Sequence, residues 1–143
     1  MRNVDERLLA ALARTLADLE RPLAHHLKQA DLTPGQFAVL QALMRLGPST
    51  VNALIAETQS TSGNLGVVVD NLVKSGLLKK TGVKSDGRKR EVALTPLGQK
   101  KAAEYAPQHT AELKRLLKGA TLDDKHKLLR SLKSITVACD KPE

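Results

Sequence analysis

"STVNALIAETQSTSGNLGVVVDNLVKSG", residues 49–76, holds two short amphipathic segments on either side of a tight polar joint. In the first, Val51, Leu54 and Ile55 fall on one face of a helix running from about Thr50 to Thr58. In the second, Leu65, Val68, Val69, Leu72 and Val73 line one face from about Thr61 to Lys74, and Gly76 stands just beyond as a C-terminal stop. Only Gln59 and Ser60 separate the two. Helices joined so closely predict a helix-turn-helix. The second helix of that motif enters the major groove of duplex DNA, and residues near its start reach base edges. Here those residues are Ser60, Thr61, Ser62 and Asn64, with Asn64 suited to a paired hydrogen bond to adenine. The plainer alternative is that Ser60 or Thr61 serves only as the cap of the same helix.

Upstream, "TPGQFAVLQALMRLG", residues 33–47, is a helix with its boundaries written in: Thr33 as N-cap, Pro34 at the first position, Gln36 to close a capping box, and Gly47-Pro48 as the stop. Phe37, Leu40, Leu43 and Met44 form its expected inner face. Before it, Leu8, Leu12, Leu16, Leu19, Leu23 and Leu27 make one stripe on a long helix from Asp5 to about Gln29, with Pro22 as a kink point.

Downstream the period changes. "LLKKTGV" and "KREVALT" predict two short strands around "KSDG", where Asp86-Gly87 is a hairpin turn signal. Thr95-Pro96 then opens a helix with the device already used at Thr33-Pro34; it runs to about Lys118, with Pro107 as a kink point. Thr121 caps a last helix whose stripe is Leu128, Leu132, Ile135 and Cys139. The expected fold is mainly α with a small β component (α+β), a winged helix-turn-helix flanked by long terminal helices. One domain spans 1–143: about 33–98 is the winged module, and about 5–30 and 100–139 are dimerisation helices.

Charge is concentrated where the hairpin lies. Residues 74–101 carry nine basic side chains against two acidic ones, whereas residues 1–73 carry six against seven. Nearly all of the net +8 therefore sits in one short segment, the footprint of a polyanion-binding surface. At the hairpin tip a carboxylate, Asp86, stands two residues before Arg88. A guanidinium reaching into a narrow minor groove must freeze many rotamers, and a carboxylate on its fork orients it beforehand. Asp86 is thus read as the holder and Arg88 as the probe, with Lys84, Lys89 and Arg90 beside them on the wing, and Lys74, Lys79 and Lys80 on phosphates. The plainer reading is a solvated hairpin whose charges protect an exposed strand edge.

"TPGQFAVLQAL", "SGNLGVVVDNLVKSGLL" and above all "DGRKREVALTPLG" resemble the multiple-antibiotic-resistance-regulator (MarR) family of bacterial transcription factors, over almost the whole chain. That family usually carries an Asp-Arg-Arg wing tip followed at fixed distance by Leu-Thr-x-x-Gly; Asp86, Arg88, Leu94, Thr95 and Gly98 stand in register with it. Gly87 replaces the middle basic residue, and Val67 stands where many members carry an arginine. The resemblance implies a homodimer of intertwined terminal helices on a pseudo-palindromic operator, acting mostly as a repressor and released by a small molecule, metal or oxidant. It also implies an effector pocket, for which His26, Phe37 and Tyr105 are the candidate lining, with core packing as the plain alternative. Independently of it, the leucine stripes of the first and last helices exceed what one small winged module covers, which predicts a partner copy.

Other chemistries find little support. His25 and His26 are adjacent and diverge on a helix, and Glu104 and His109 are off the four-residue spacing, so no metal site and no cofactor are expected. No phosphate loop, paired catalytic acids or nucleophile elbow is present, so the chain is not expected to be an enzyme. Cys139, the single cysteine, sits on an apolar stripe and is expected to be buried and inert. The start, "MRNVDERLLAALAR", lacks the pattern of a signal peptide and no stretch suits a membrane span, so a cytoplasmic protein is expected. The competing functional class is an architectural module that coats nucleic acid without a preferred site.

Overall fold

The computed structural model describes residues 3–58, 62–82 and 90–139, with the backbone alone for residues 62 and 63. Along the chain these form α1 (Val4–Lys28), α2 (Pro34–Leu46), β1 (Ser49–Thr50), α3 (Val51–Thr58), α4 (Ser62–Lys74), β2 (Leu78–Gly82), β3 (Arg90–Leu94), α5 (Pro96–Leu116) and α6 (Leu122–Cys139). This is the expected mainly helical winged helix-turn-helix. The chain divides into two compact units, Met1–Thr110 and Ala111–Glu143.

In the first unit, helix ends are fixed by local hydrogen bonds. Asn3 Oδ1 accepts from the Glu6 N–H at 2.8 Å while Glu6 Oε2 accepts from the Asn3 N–H at 3.1 Å, a capping box that starts α1. Thr33 and Gln36 make the same reciprocal pair at the start of α2, as their sequence predicts. Both α1 and α5 continue through their internal prolines, Pro22 and Pro107.

The core gathers on α2. Leu27, Phe37, Val39, Leu40, Leu54, Leu72 and Leu78 are almost wholly buried. Met44, expected on the inner face, is instead exposed, while Val39 and Ala42 are buried. The reason is that α2 is the central helix, packed by α1, α3, α4 and β3, so its buried arc is wider and rotated relative to a single stripe.

The sheet has three strands in the order β1-β3-β2, all antiparallel neighbours. Leu78 lies opposite Leu94 and Gly82 opposite Arg90, so β2 and β3 form the two arms of the hairpin. Strand β1, which the sequence pattern did not announce, adds Ser49 opposite Val92 and Thr50 opposite Glu91. It ties the segment entering α3 to the base of the wing.

In the second unit α6 opens on a reciprocal pair, the Thr121 N–H donating to Asp124 Oδ2 at 3.0 Å and the Asp124 N–H to Thr121 Oγ1 at 3.1 Å. The hydrogen bonds from Thr121 hold the Asp124 carboxyl below the usual carboxylate range. Helix α6 buries none of its side chains, and Leu128, Leu129, Ile135 and Val137 are exposed. Cys139 is exposed as well, against the expectation of burial, because the stripe that carries it is uncovered in the single chain.

A candidate nucleic-acid interface on helix 4 and the hairpin

Helix α4 shows which way it faces. Leu65, Val69 and Leu72 are buried, while Asn64, Val67, Asp70, Asn71 and Lys74 are exposed. At about 100° per residue those five exposed positions fall within one arc of about 120°, pointing away from the core. The helix ends in a two-bond cap: the Leu77 N–H donates to the Leu72 carbonyl at 3.0 Å and the Gly76 N–H to the Val73 carbonyl at 3.1 Å. Gly76 takes φ of 76°, a left-handed conformation costly for other residues, and so turns the chain at once into β2.

The hairpin leaves from that turn and is locked at its base by Thr95. The Thr95 hydroxyl donates to the Gly76 carbonyl at 2.6 Å and accepts from the Gly98 N–H at 3.1 Å, so one side chain caps α5 and fastens the α4–β2 turn. The Thr95 N–H adds a bond to the Leu77 carbonyl at 3.1 Å. Gly98 is buried there, and a Cβ on it would drive into the Leu77 carbonyl group. The Leu-Thr-x-x-Gly pattern is therefore a buckle between wing and helix.

Of the residues expected to meet DNA, Asn64 is exposed on the outward face of α4, and Lys74 lies three turns along on the same face. Lys79, Lys80 and Arg90 are exposed on the hairpin strands. Lys80 Nζ lies 3.6 Å from Asp70 Oδ1, which places β2 directly beside the outward edge of α4. Both partners are more than half exposed, so the pair contributes well under about 1 kcal/mol and yields readily to a phosphate. Ser60, Thr61, Lys84, Asp86, Arg88 and Lys89, and the side chain of Ser62, lie outside the described residues. Asp70 and Asn71 were not anticipated as part of this surface, although the seven-residue spacing from Asn64 marks Asn71.

The candidate effector residues are split. His26 and Tyr105 meet edge to face with ring centroids 6.5 Å apart, and Phe37, buried in the core, packs against His109 at 4.8 Å. His26 Nε2 and His109 Nδ1 are buried without a hydrogen-bond partner among the described residues. Burial, and then the neighbouring His26, lowers the His109 pKa below its usual 6.5. Beside them an open cavity of about 290 Å³ is lined by Ala30, Asp31, Lys100, Lys101, Glu104 and Tyr105 among others, but not by His26 or Phe37. Among the described residues no three His, Cys, Asp or Glu side chains group as a metal site, and no helix is long and apolar enough to cross a membrane.

Residues 30–89 match the model of the MarR family. The chain is 26% identical over 126 residues to the uncharacterized HTH-type transcriptional regulator YkoM of Bacillus subtilis, covering 88% of this chain and 82% of that one. Its fold matches that of Bordetella bronchiseptica BpsR, whose DNA binding is regulated by 6-hydroxynicotinic acid, with a TM-score of 0.80 at 22% identity over 91% of this chain and 98% of that one. It matches equally a mutant MarR from E. coli complexed with operator DNA, with a TM-score of 0.80 at 22% identity over 94% and 99% of the two chains. The MarR family model thus covers residues 30–89, and the likeness to solved structures extends the same winged helix-turn-helix fold across nearly the whole length of the chain.

Proposed function

We propose that this protein is a sequence-specific regulator of transcription that binds duplex DNA as a homodimer, represses by occluding a promoter, and is released by a small-molecule or oxidant signal. The observation that carries the reading is the exposed face of α4 with Asn64, Asp70, Asn71 and Lys74, lying beside a basic hairpin in the same compact unit. A helix of about 10–12 Å diameter fits the major groove, whose width is about 12 Å. With α4 in that groove, Asn64 reaches base edges, while Lys74, Lys79, Lys80 and Arg90 meet phosphates. Asp86 and Arg88, with Lys84 and Lys89, are proposed to extend the contact from the wing tip, and Ser60, Thr61 and Ser62 from the start of α4. Affinity comes mainly from the phosphates and selectivity from α4 and the wing.

Pairing into a dimer is supported by the apolar faces each unit leaves open: Leu8, Leu9 and Leu16 on α1 in the first, Leu128, Leu129 and Ile135 on α6 in the second. A two-fold dimer presents two copies of α4 to half-sites about 34 Å apart. Release by a small molecule is supported by the open cavity at Tyr105 and by the regulation described for BpsR. No enzymatic role is proposed, since the named relatives are transcriptional regulators.

Selection of bound duplexes from a random pool, followed by competition against random DNA, tests the reading. A regulator enriches a pseudo-palindrome and holds it at least ~10³-fold more tightly than random duplex. An architectural module enriches nothing, and that result ends the proposal. Within the selected site, Asn64→Ala should relax preference at one base pair per half-site by roughly 1–3 kcal/mol. Equal loss on selected and random DNA would make Asn64 structural.

A further inference from the structure

The most outward residue of α4 is apolar. Val67 is 60% exposed, although it stands among Asn64, Asp70, Asn71 and Lys74, all polar. Wound at about 100° per residue, it occupies the middle of the arc those residues define, opposite the buried Leu65, Val69 and Leu72. A helix that docks by this face brings Val67 deeper into the groove than any neighbour. Its position cannot be traded for core packing, because the side chain points directly away from the core.

We infer that Val67 reads the 5-methyl group of a thymine in each half-site; this rests on the reading of α4 as the helix that enters the major groove. A valine can neither give nor accept a hydrogen bond, so it is blind to the donor and acceptor pattern of the bases. The one apolar group displayed in the major groove is the thymine methyl. Val67 is β-branched, with a single strongly preferred rotamer in a helix, so its two methyls are held in place before binding and little freedom is lost on contact. The surrounding charge fits the occupant: Lys74 lies on the same face, and Lys80 on β2 stands 3.6 Å from Asp70 at its edge, so Val67 is an apolar point beside cationic side chains. Such a surface suits a polyanion that carries a methyl group and suits a purely apolar partner poorly. Asn64, one turn earlier on the same face, then reads a base pair adjacent to the one Val67 contacts.

The test uses the full-length protein and the duplex enriched from the random pool, with thymines replaced one at a time by deoxyuridine, which differs only in lacking the 5-methyl group. At one position per half-site the replacement should weaken wild-type binding about three- to tenfold. Val67→Ala should bind the thymine duplex more weakly and be indifferent to that replacement. Placing 5-methylcytosine in a duplex that carries a cytosine there should recover part of the wild-type affinity and none for the variant. Because Val67 is exposed, the variant keeps its fold, and an unchanged unfolding midpoint checks this. If no thymine is sensitive in the wild type, or if Val67→Ala is equally sensitive, the assignment is overturned while the regulator reading stands. If no sequence is enriched at all, both fall together.

Discussion

Thr95 and Gly98 illustrate how much one residue can carry in this protein. The threonine hydroxyl serves two elements at once, giving its proton to the Gly76 carbonyl and taking the Gly98 N–H. Gly98 lets the first turn of α5 lie against the backbone of Leu77, with an added Cβ falling 3.0 Å or less from the Leu77 carbonyl group. That obstacle is backbone and cannot rotate aside. Gly98→Ala is therefore expected to destabilise the fold by about 2–4 kcal/mol, despite the better helix propensity of alanine. Urea unfolding of the pair measures this; a variant as stable as wild type would mean that the wing base and α5 are not held together in this way. Sequence pattern gave the threonine away as a cap and resemblance marked the glycine, but neither could show that one hydroxyl bridges Gly76 and Gly98. The bond from Thr95 to Gly76 spans nineteen residues, and only the folded chain brings its ends together.

Between elements, legibility depended on period and punctuation. Helices α2 and α4 were readable because caps, proline and glycine bracket a clear apolar spacing, and the hairpin because Asp86-Gly87 divides two short runs. Strand β1 was not, since two residues are too few to show alternation and Ser49 and Thr50 read equally well as the start of α3. The pairing of α1 with α5 was equally hidden: His26 and His109 were weighed as metal ligands, yet the structure sets them against Tyr105 and Phe37 with one ring nitrogen of each left unpaired. Burial and the nearby His26 favour the neutral form of His109 in the fold. Its pKa is thus lower folded than unfolded, and below the unfolded value of 6.5 the unfolded chain binds the extra proton. Stability from this site is complete above that pH and is lost as pH falls from there through the depressed folded value, with at most one proton involved. Unfolding midpoints taken from pH 7.5 down to 5.5, for wild type and His109→Phe, should show a steeper fall in the wild type. Parallel curves would mean that His109 titrates alike in both states.

Across the whole molecule, the apolar faces left open on α1 and α6 decide whether the reading heads work singly or in pairs. Leu9 on α1 and Leu129 on α6 are 70% and 63% exposed, in different compact units, and neither takes part in the core. Two such faces on one small chain exceed the scattered exposed leucines that an isolated module tolerates. The sequence stripes announced the neighbouring Leu8, Leu16, Leu128 and Ile135 but not Leu9 or Leu129 themselves, and covering these faces takes a second chain, which no single-chain pattern can display. If a two-fold partner covers both, each leucine is buried twice per dimer. Replacing Leu9 or Leu129 with glutamate would remove that burial and place an unpaired carboxylate in the seam, once from each protomer. At about 1.5–3 kcal/mol for each leucine buried, the loss amounts to several kcal/mol per dimer and a dissociation constant raised at least about a hundredfold. Sedimentation equilibrium should show wild type as a dimer and the variants as monomers at micromolar concentration, with an unchanged winged module because the sites lie outside its core. Affinity for a two-half-site duplex should fall with dimerisation, while binding to a single half-site stays near the wild-type level. Variants that remain dimeric would place the interface elsewhere on the chain, and the spacing of the two copies of α4 would have to be derived from that other surface.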